Sequence, residues 1–377
     1  MPWKVVPVSE IRLAFVHQVR SLRSPVAAAC RLFGISRKTG YKWLARHALA
    51  SDRPLVNLST RPRLSPRRTS DDLELAVLKV RDLFGWGPRK IHAFLRTTHP
   101  GLPSVRTIAN ILSRHQRVHP LPAPPHTCLR FERAHANELW QCDFKGWLEI
   151  NRQRIYPFTV LDDHSRFLFA VEPCLDQTML TAWNALWRVF GAVGLPNELL
   201  CDHAFGDHNP RVRTLSWFEA RLIRLGIRPC HGRPYHPQTQ GKLERLHGTL
   251  EREVWPRVRR DRLDHFAADV THWRTNVYNV LRPHEALNDQ PPLTHWQPSS
   301  RSRPSSLPEL SYPPHATLRR VSSGGDISWH NYRFLVGAGL TGELVQISEQ
   351  DHDIILTYAN YPFRRIPLSS LSKGTIL

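Results

Sequence analysis

Three carboxylates in this chain have the types and surroundings to do chemistry together: Asp143 in LWQCDFKG, Asp202 in NELLCDHAFGD and Glu244 in GKLERLHG. Asp143 and Asp202 each follow an apolar run of the kind that forms a buried strand, and Glu244 falls in the first turn of a helix beginning near Lys242. A carboxylate near a helix N-terminus is ordinarily favoured by the macrodipole alone. With two strand-borne acids upstream it gains a second reading, a site that collects divalent metal ions. Asp143 sits inside an otherwise apolar strand, where an ionised group is costly unless paired or metal-bound. Asp202 lies where its strand stops, the place where ligand-binding residues collect in open α/β sheets. Asp162 and Asp163 in VLDDHSRF compete with Asp143, but Asp at a strand end is an ordinary turn residue. Asp207 is a substitute for Asp202. His247, three residues past Glu244, is a further candidate ligand, although for it and His236 a structural role is expected.

The elements that must position these acids follow from periodicity. LWQCDFKGWLEI, RIYPFTVLDDH and RFLFAVEPCL predict three strands joined by tight turns, and LTAWNALWRVFGAVG predicts an amphipathic helix. A strand ending at NELLCD, a helix SWFEARLIRLGI, a short strand RPCHG, the helix from Lys242 and a last helix over DRLDHFAADVTHWRTNVYNVL come next. Three antiparallel strands followed by strand and helix in alternation make an RNase H-type α/β core. Beyond a Pro/Ser-rich stretch, TLRRV, DISWH, YRFLV, ELVQIS, DIILTYA and FRRIPL are short strands with turn signals between them, predicting a small β-barrel.

Upstream, the chain is helical and basic. Residues 12–46 predict three short helices: Ser24-Pro25 opens the second, Gly34 ends it, and Ser36 caps a third, RKTGYKWLARH. That is the helix-turn-helix pattern, and Arg37, Lys38, Thr39 and Lys42 would face a DNA major groove. A second such unit is predicted from LELAVLKVRDLF, PRKIHAFLRTT and SVRTIANILSRH, with Arg106, Asn110 and Arg114 outward. Between them, SDRPLVNLSTRPRLSPRRTS is a basic linker whose Arg61, Arg63, Arg67 and Arg68 could track a phosphate backbone. The bland alternatives are a solvated charge run and plain helical bundles. Of the net charge of +20, residues 1–70 supply most, with fourteen Lys/Arg against two Asp/Glu. Such asymmetry points to a polyanion, most simply nucleic acid. Six scattered cysteines without a C-x-x-C pair argue against structural zinc or a disulfide framework. The absence of a signal-like block or a run of about 18 apolar residues predicts a cytoplasmic, nucleoid-associated protein without a membrane partner.

LWQCDFKG, the turn LDDHSRF, the strand end LLCD, the run GRPYHPQTQGKLER and the later YNVLRPHEAL together resemble the catalytic core of insertion-sequence transposases of the retroviral-integrase type, the DDE recombinases. The resemblance covers most of residues 131–297, and the tandem helix-turn-helix with an STRPR linker is similar to the same group. PYHPQTQGKLER is its most specific part. By resemblance, Asp143, Asp202 and Glu244 are the metal-binding catalytic triad, holding two Mg²⁺ with Mn²⁺ as a substitute, and Lys242 and Arg245 position DNA strands. The implied activity is two-metal phosphoryl transfer: cleavage at transposon ends, then attack of the freed 3′-hydroxyl on target DNA, by a homo-oligomer assembled on DNA. One departure stands out. Where the family has Asn-Gly after the second Asp, this chain has His203-Ala204, and Glu244 lies 42 positions after Asp202. That departure favours an alternative, a catalytically inactive DNA-binding regulator or domesticated transposase-derived protein; intact acids favour the enzyme. A plain RNase H-like nuclease leaves the flanking units unexplained.

The resulting expectation is a multidomain chain: helix-turn-helix 1–50, basic linker 51–70, second helix-turn-helix 71–117, Pro-rich linker 118–135, RNase H-like integrase core 136–288, Pro/Ser-rich linker 289–316 and small β-barrel 317–377.

Overall fold

Near-continuous apolar runs along the central strands build a sheet with two buried faces. A computed structural model describes residues 7–49, 55–57, 68–118, 132–206, 212–232 and 241–371. The chain divides into two compact units, Met1–Arg68 and Thr69–Leu377.

In the larger unit, β1 (Leu139–Phe144), β2 (Leu148–Ile150), β3 (Gln153–Asp162), β4 (Leu168–Cys174), β5 (Glu198–Cys201) and β6 (Arg228–His231) form one mixed sheet. β3 is antiparallel to β1, β2 and β4, whereas β5 runs parallel to both β1 and β6. The single strand expected over LWQCDFKGWLEI is broken at Lys145–Trp147, and β2 continues the pairing along β3. On one face, α7 (Met179–Val193) and α8 (Trp217–Arg224) pack against Trp140, Cys142, Phe158, Val160 and Cys201. On the other, α9 (Gly241–Thr249), its π-helical continuation Leu250–Val254 and α10 (Leu263–His272) cover Leu161, Leu168 and Val171. This is the strand order and layering expected of an RNase H-type core.

Helices α4 (Asp71–Phe84), α5 (Pro88–Leu95) and α6 (Val105–Arg114) close around Val77, Trp86, Ile91, Ile108 and Ile111. Ser104 caps α6, its Oγ accepting from Thr107 N at 3.3 Å. At the C-terminal end, β7 (Thr317–Arg320), β10 (Leu344–Gln350), β11 (Asp353–Tyr358) and β12 (Tyr361–Pro367) make an antiparallel sheet in the order β12-β11-β10-β7, and β8 (Asp326–Trp329) pairs with β9 (Tyr332–Leu335). All six expected strands are present, but a closed barrel is not found among the described residues. The sheet buries its apolar face against the β8–β9 hairpin, through Ile327 and Phe334, and against the central core, through Leu215, Ala220 and Ile223. Gly339 marks the closest approach, since a Cβ there would lie 2.1 Å from Trp217 N. The Pro/Ser-rich stretch before this sheet is irregular yet pinned: Trp296 stacks on Phe167 at 4.1 Å, and Arg301 donates to Pro196 O at 2.6 Å and Leu225 O at 2.8 Å.

The smaller unit holds α1 (Val8–Arg20), α2 (Val26–Leu32) and α3 (Arg37–Leu49) around Phe15, Val16, Ala29, Cys30 and Trp43. Gly40 lets α3 approach, because a Cβ there would meet Cys30 Sγ at 2.6 Å. Ser36 Oγ accepts from Thr39 N at 3.1 Å, capping α3 as expected. Among the described residues no helix is long and apolar enough to cross a membrane.

Candidate active site

Parallel pairing of β1 with β5 sets Leu139 beside Glu198, Trp140 beside Leu199 and Gln141 beside Leu200. Two further steps of that register bring Cys142 to Cys201, whose sulfurs are 3.5 Å apart, and Asp143 to Asp202. Successive strand residues point to opposite faces. The two thiols therefore enter the α7/α8 core, while the two acids face the side covered by α9.

Leu243 and Leu246 bury α9 on that side. His247 and Thr159 lock its rotation. Thr159 stands opposite Asp143 in the β1–β3 register and donates its hydroxyl proton to Asp143 O at 3.0 Å. With that single proton committed, His247 Nε2, 3.0 Å from Thr159 Oγ1, is assigned as the donor. Burial pushes the His247 pKa down to about 4, with Lys145 adding to the effect, so the ring is neutral, with its Nε2 engaged by Thr159. Glu244 lies just under one turn earlier. Burial drives the Asp143 carboxyl up to about 6; a bond from the Phe144 amide opposes this, the charges of Asp202 and Glu244 reinforce it, and Lys145 lowers it. The three acids thus share one electrostatic site, with Asp143 half-buried and Asp202 and Glu244 exposed. Among the described residues, no three His, Cys, Asp or Glu groups stand close enough to form a ready metal cage.

The competing acids have other duties. Asp162, fully buried, accepts from Ser165 N and Oγ, both at 2.7 Å, and from Asn137 N at 2.9 Å. Asp163, also fully buried, accepts from Gln141 Nε2 at 2.7 Å and Arg133 N at 2.8 Å and pairs with Lys242 Nζ at 2.5 Å. Lys242, expected to meet DNA, is therefore committed to a buried carboxylate, its side chain 16% exposed. Burial, aided by Arg166, lowers its pKa to about 8. Arg245 is exposed on α9.

Of the other expected DNA contacts, Arg37, Lys38, Lys42, Arg68, Arg106 and Asn110 are exposed. Thr39 is half-buried, its hydroxyl 2.9 Å from Ser36 Oγ in the α3 cap. Arg114 is paired with the buried Glu74. Arg61, Arg63, Arg67, Asp207 and the motif PYHPQTQ, with His236, lie outside the described residues, as does the side chain of His203.

Three features escaped the sequence reading. Tyr41, 59% exposed, lies on α3 between Lys38 and Lys42. Trp147, 56% exposed and four residues past Asp143, carries the Arg154 guanidinium 4.6 Å over its ring. The third explains the RPH of YNVLRPHEAL: Arg282 is buried and donates to both oxygens of Glu253, at 2.9 and 2.8 Å. Trp86 Nε1 and Lys90 Nζ reach the same carboxylate at 3.2 and 3.4 Å, docking α5 onto the end of the Glu244 helix. An Arg in an apolar run was the only signal, and its partner is 29 residues away.

Two family models, each described as an integrase core domain, match residues 133–237 and 225–292. The simian T-cell lymphotropic virus intasome, solved in complex with PP2A regulatory subunit B56 gamma, is 18% identical with a TM-score of 0.36, covering 80% of this chain and 99% of that one. The HTLV-2 integrase catalytic core domain in complex with magnesium, in its trimeric form, is 14% identical with a TM-score of 0.31, covering 43% of this chain and 97% of that one.

Proposed function

Since the chain carries an integrase core domain over residues 133–292, we propose that it is a DNA transposase, which binds the ends of its mobile element, cleaves there and joins them to target DNA as a homo-oligomer. The observation that carries this reading is the siting of Asp143, Asp202 and Glu244 within one another's field on adjacent parallel strands and the helix above them. The donor set fits magnesium: hard oxygens only, with Asp143 raised to about 6 by burial and by the neighbouring charges of Asp202 and Glu244. Two exposed acids beside a half-buried one leave room for water and substrate phosphate oxygens to complete the coordination. When bound, two Mg²⁺ would activate a water or DNA 3′-hydroxyl and stabilise the leaving oxygen of an in-line displacement. Asp143 and Asp202, held by the sheet, and Glu244, held by α9, would bind these ions. Arg37, Lys38 and Lys42 on α3, and Arg106 and Asn110 on α6, would read and hold the end DNA, with Arg68 on the basic connection.

The experiment is end cleavage and strand transfer with the full-length protein, a duplex carrying the element's terminal repeats, and Mg²⁺ or Mn²⁺. Asp143→Asn, Asp202→Asn and Glu244→Gln should each lower strand transfer by at least about a hundredfold, since each removes a charge from the centre where reacting oxygens are stabilised. End binding in gel shift should persist. Full activity of Asp202→Asn would remove that residue from the assignment.

A further inference from the structure

We propose that Lys242 and His247 are positioning residues, a two-point clamp that holds Glu244 against the strand bearing Asp143. The inference rests on the reading of Asp143, Asp202 and Glu244 as metal-binding carboxylates. On β1, Gln141 and Asp143 are two apart and so face the same side, the side of α9. From Gln141 a polar chain runs through Asp163, 2.7 Å away, to Lys242, 2.5 Å further on, and Lys242 Nζ also donates to Asp163 O at 3.1 Å. From Asp143 O a second chain runs through Thr159 to His247, both steps 3.0 Å. The two anchors bracket Glu244 along α9, two residues before it and three after, about 7.5 Å apart along the axis.

Leu243 and Leu246 seat α9 on the sheet, and the two polar anchors on either side of Glu244 set its register along the strands. Glu244 itself is exposed, so packing around its own side chain does little to place it. Its carboxylate inherits a position from Lys242 and His247. Every group in both chains is buried or mostly so: Gln141, Thr159 and Asp163 are fully buried, and His247 is 9% exposed. Solvent therefore competes little for these bonds. Thr159 makes the link direct, because its hydroxyl joins the Glu244 helix to the backbone of the very residue whose carboxylate Glu244 must meet.

Two measurements on the full-length protein test this: Mn²⁺ binding, from the paramagnetic resonance signal of the free ion, and duplex binding across a salt titration. Lys242→Met and Thr159→Val should each weaken Mn²⁺ binding about tenfold, the usual effect of losing an outer-shell partner. Thr159→Ser, which keeps the hydroxyl, should bind Mn²⁺ as the wild type does. Duplex affinity and its salt slope should stay at wild-type values in Lys242→Met; a lysine contacting phosphate would lower the slope by about one. Lys242→Met strands Asp163 as a buried charge, so the double variant Asp163→Asn with Lys242→Met guards against simple unfolding. It should melt close to wild type and still bind Mn²⁺ weakly. Wild-type Mn²⁺ affinity in that double variant and in Thr159→Val, or a reduced salt slope in Lys242→Met, overturns the clamp. Asp143→Asn separates the parent reading: if it leaves Mn²⁺ binding untouched, the carboxylate site falls and the clamp falls with it.

Discussion

At Asp143, burial and the two neighbouring carboxylates push in one direction, and the carboxyl rises to about 6. An unfolded aspartate titrates near about 3.9. Between those values the folded, metal-free protein holds a proton that the unfolded chain has released, so Asp143 favours folding at low pH and this contribution is lost as pH rises through about 6. In metal-free buffer the melting temperature of the wild type should therefore fall, relative to Asp143→Asn, between about pH 4 and 6. Mg²⁺ added above that range should raise the wild type and leave Asp143→Asn unmoved, since metal competes with the proton for the same oxygens. Parallel melting curves for the two proteins at every pH would show that Asp143 does not feel its neighbours. In the sequence, Asp143 differs from the Asp162-Asp163 pair in lying inside a strand rather than at its end. The structure adds the physical reason, since both rivals spend their oxygens on buried amides, a serine and a lysine.

At the scale of elements, the helix carrying Glu244 has a second task at its far end. Glu253 receives Arg282, Trp86 and Lys90, so the helices α4–α6 are joined to the helix carrying Glu244 through a buried charge cluster. Burial alone would raise the Glu253 pKa, but Arg282 and then Lys90 outweigh it and the carboxyl is held below its usual range. Glu253 stabilises the fold above its unfolded pKa of about 4.3, and that contribution is lost as pH falls through the folded value. Glu253→Ala would leave the Arg282 guanidinium, 7% exposed, as an uncompensated buried charge. The expected cost is about 3–5 kcal/mol, measured by urea denaturation at neutral pH. A loss below about 1 kcal/mol would mean that the cluster is solvated and the docking loose.

Across the whole molecule, charge and architecture are unevenly shared. Met1–Arg68 forms a compact unit with its own apolar core, and residues 1–70 hold fourteen Lys/Arg against two Asp/Glu. The helices α4–α6 and the C-terminal sheet bury apolar surface on the central core instead. Deleting residues 1–68 should leave a protein that melts cooperatively, because only the smaller core is removed. It should lose the footprint on element ends and show a shallower salt dependence of duplex binding, as fewer counterions are released. An unchanged footprint would transfer end recognition to α6 and its neighbours.

Sequence alone determined most of the kinds and order of elements here, because hydrophobic period, caps and turn residues act locally: strands within RIYPFTVLDDH and NELLCD, the Ser36 and Ser104 caps, and six short C-terminal strands were all legible. It also supplied the three acids as a set, through residue type and neighbouring motifs. Only the tertiary structure decided who meets whom. Lys242 looked like a DNA contact because a lysine beside Glu244 has no visible partner in sequence; Asp163, 79 residues away, claims it. The stretch 289–316 looked like a free linker because Pro and Ser form no regular element, yet Trp296 and Arg301 pin it to the core. The last strands looked like a barrel because alternation reports a buried face without saying what buries it. Here the β8–β9 hairpin, through Ile327 and Phe334, shares the covering of that face with α8 and Leu215.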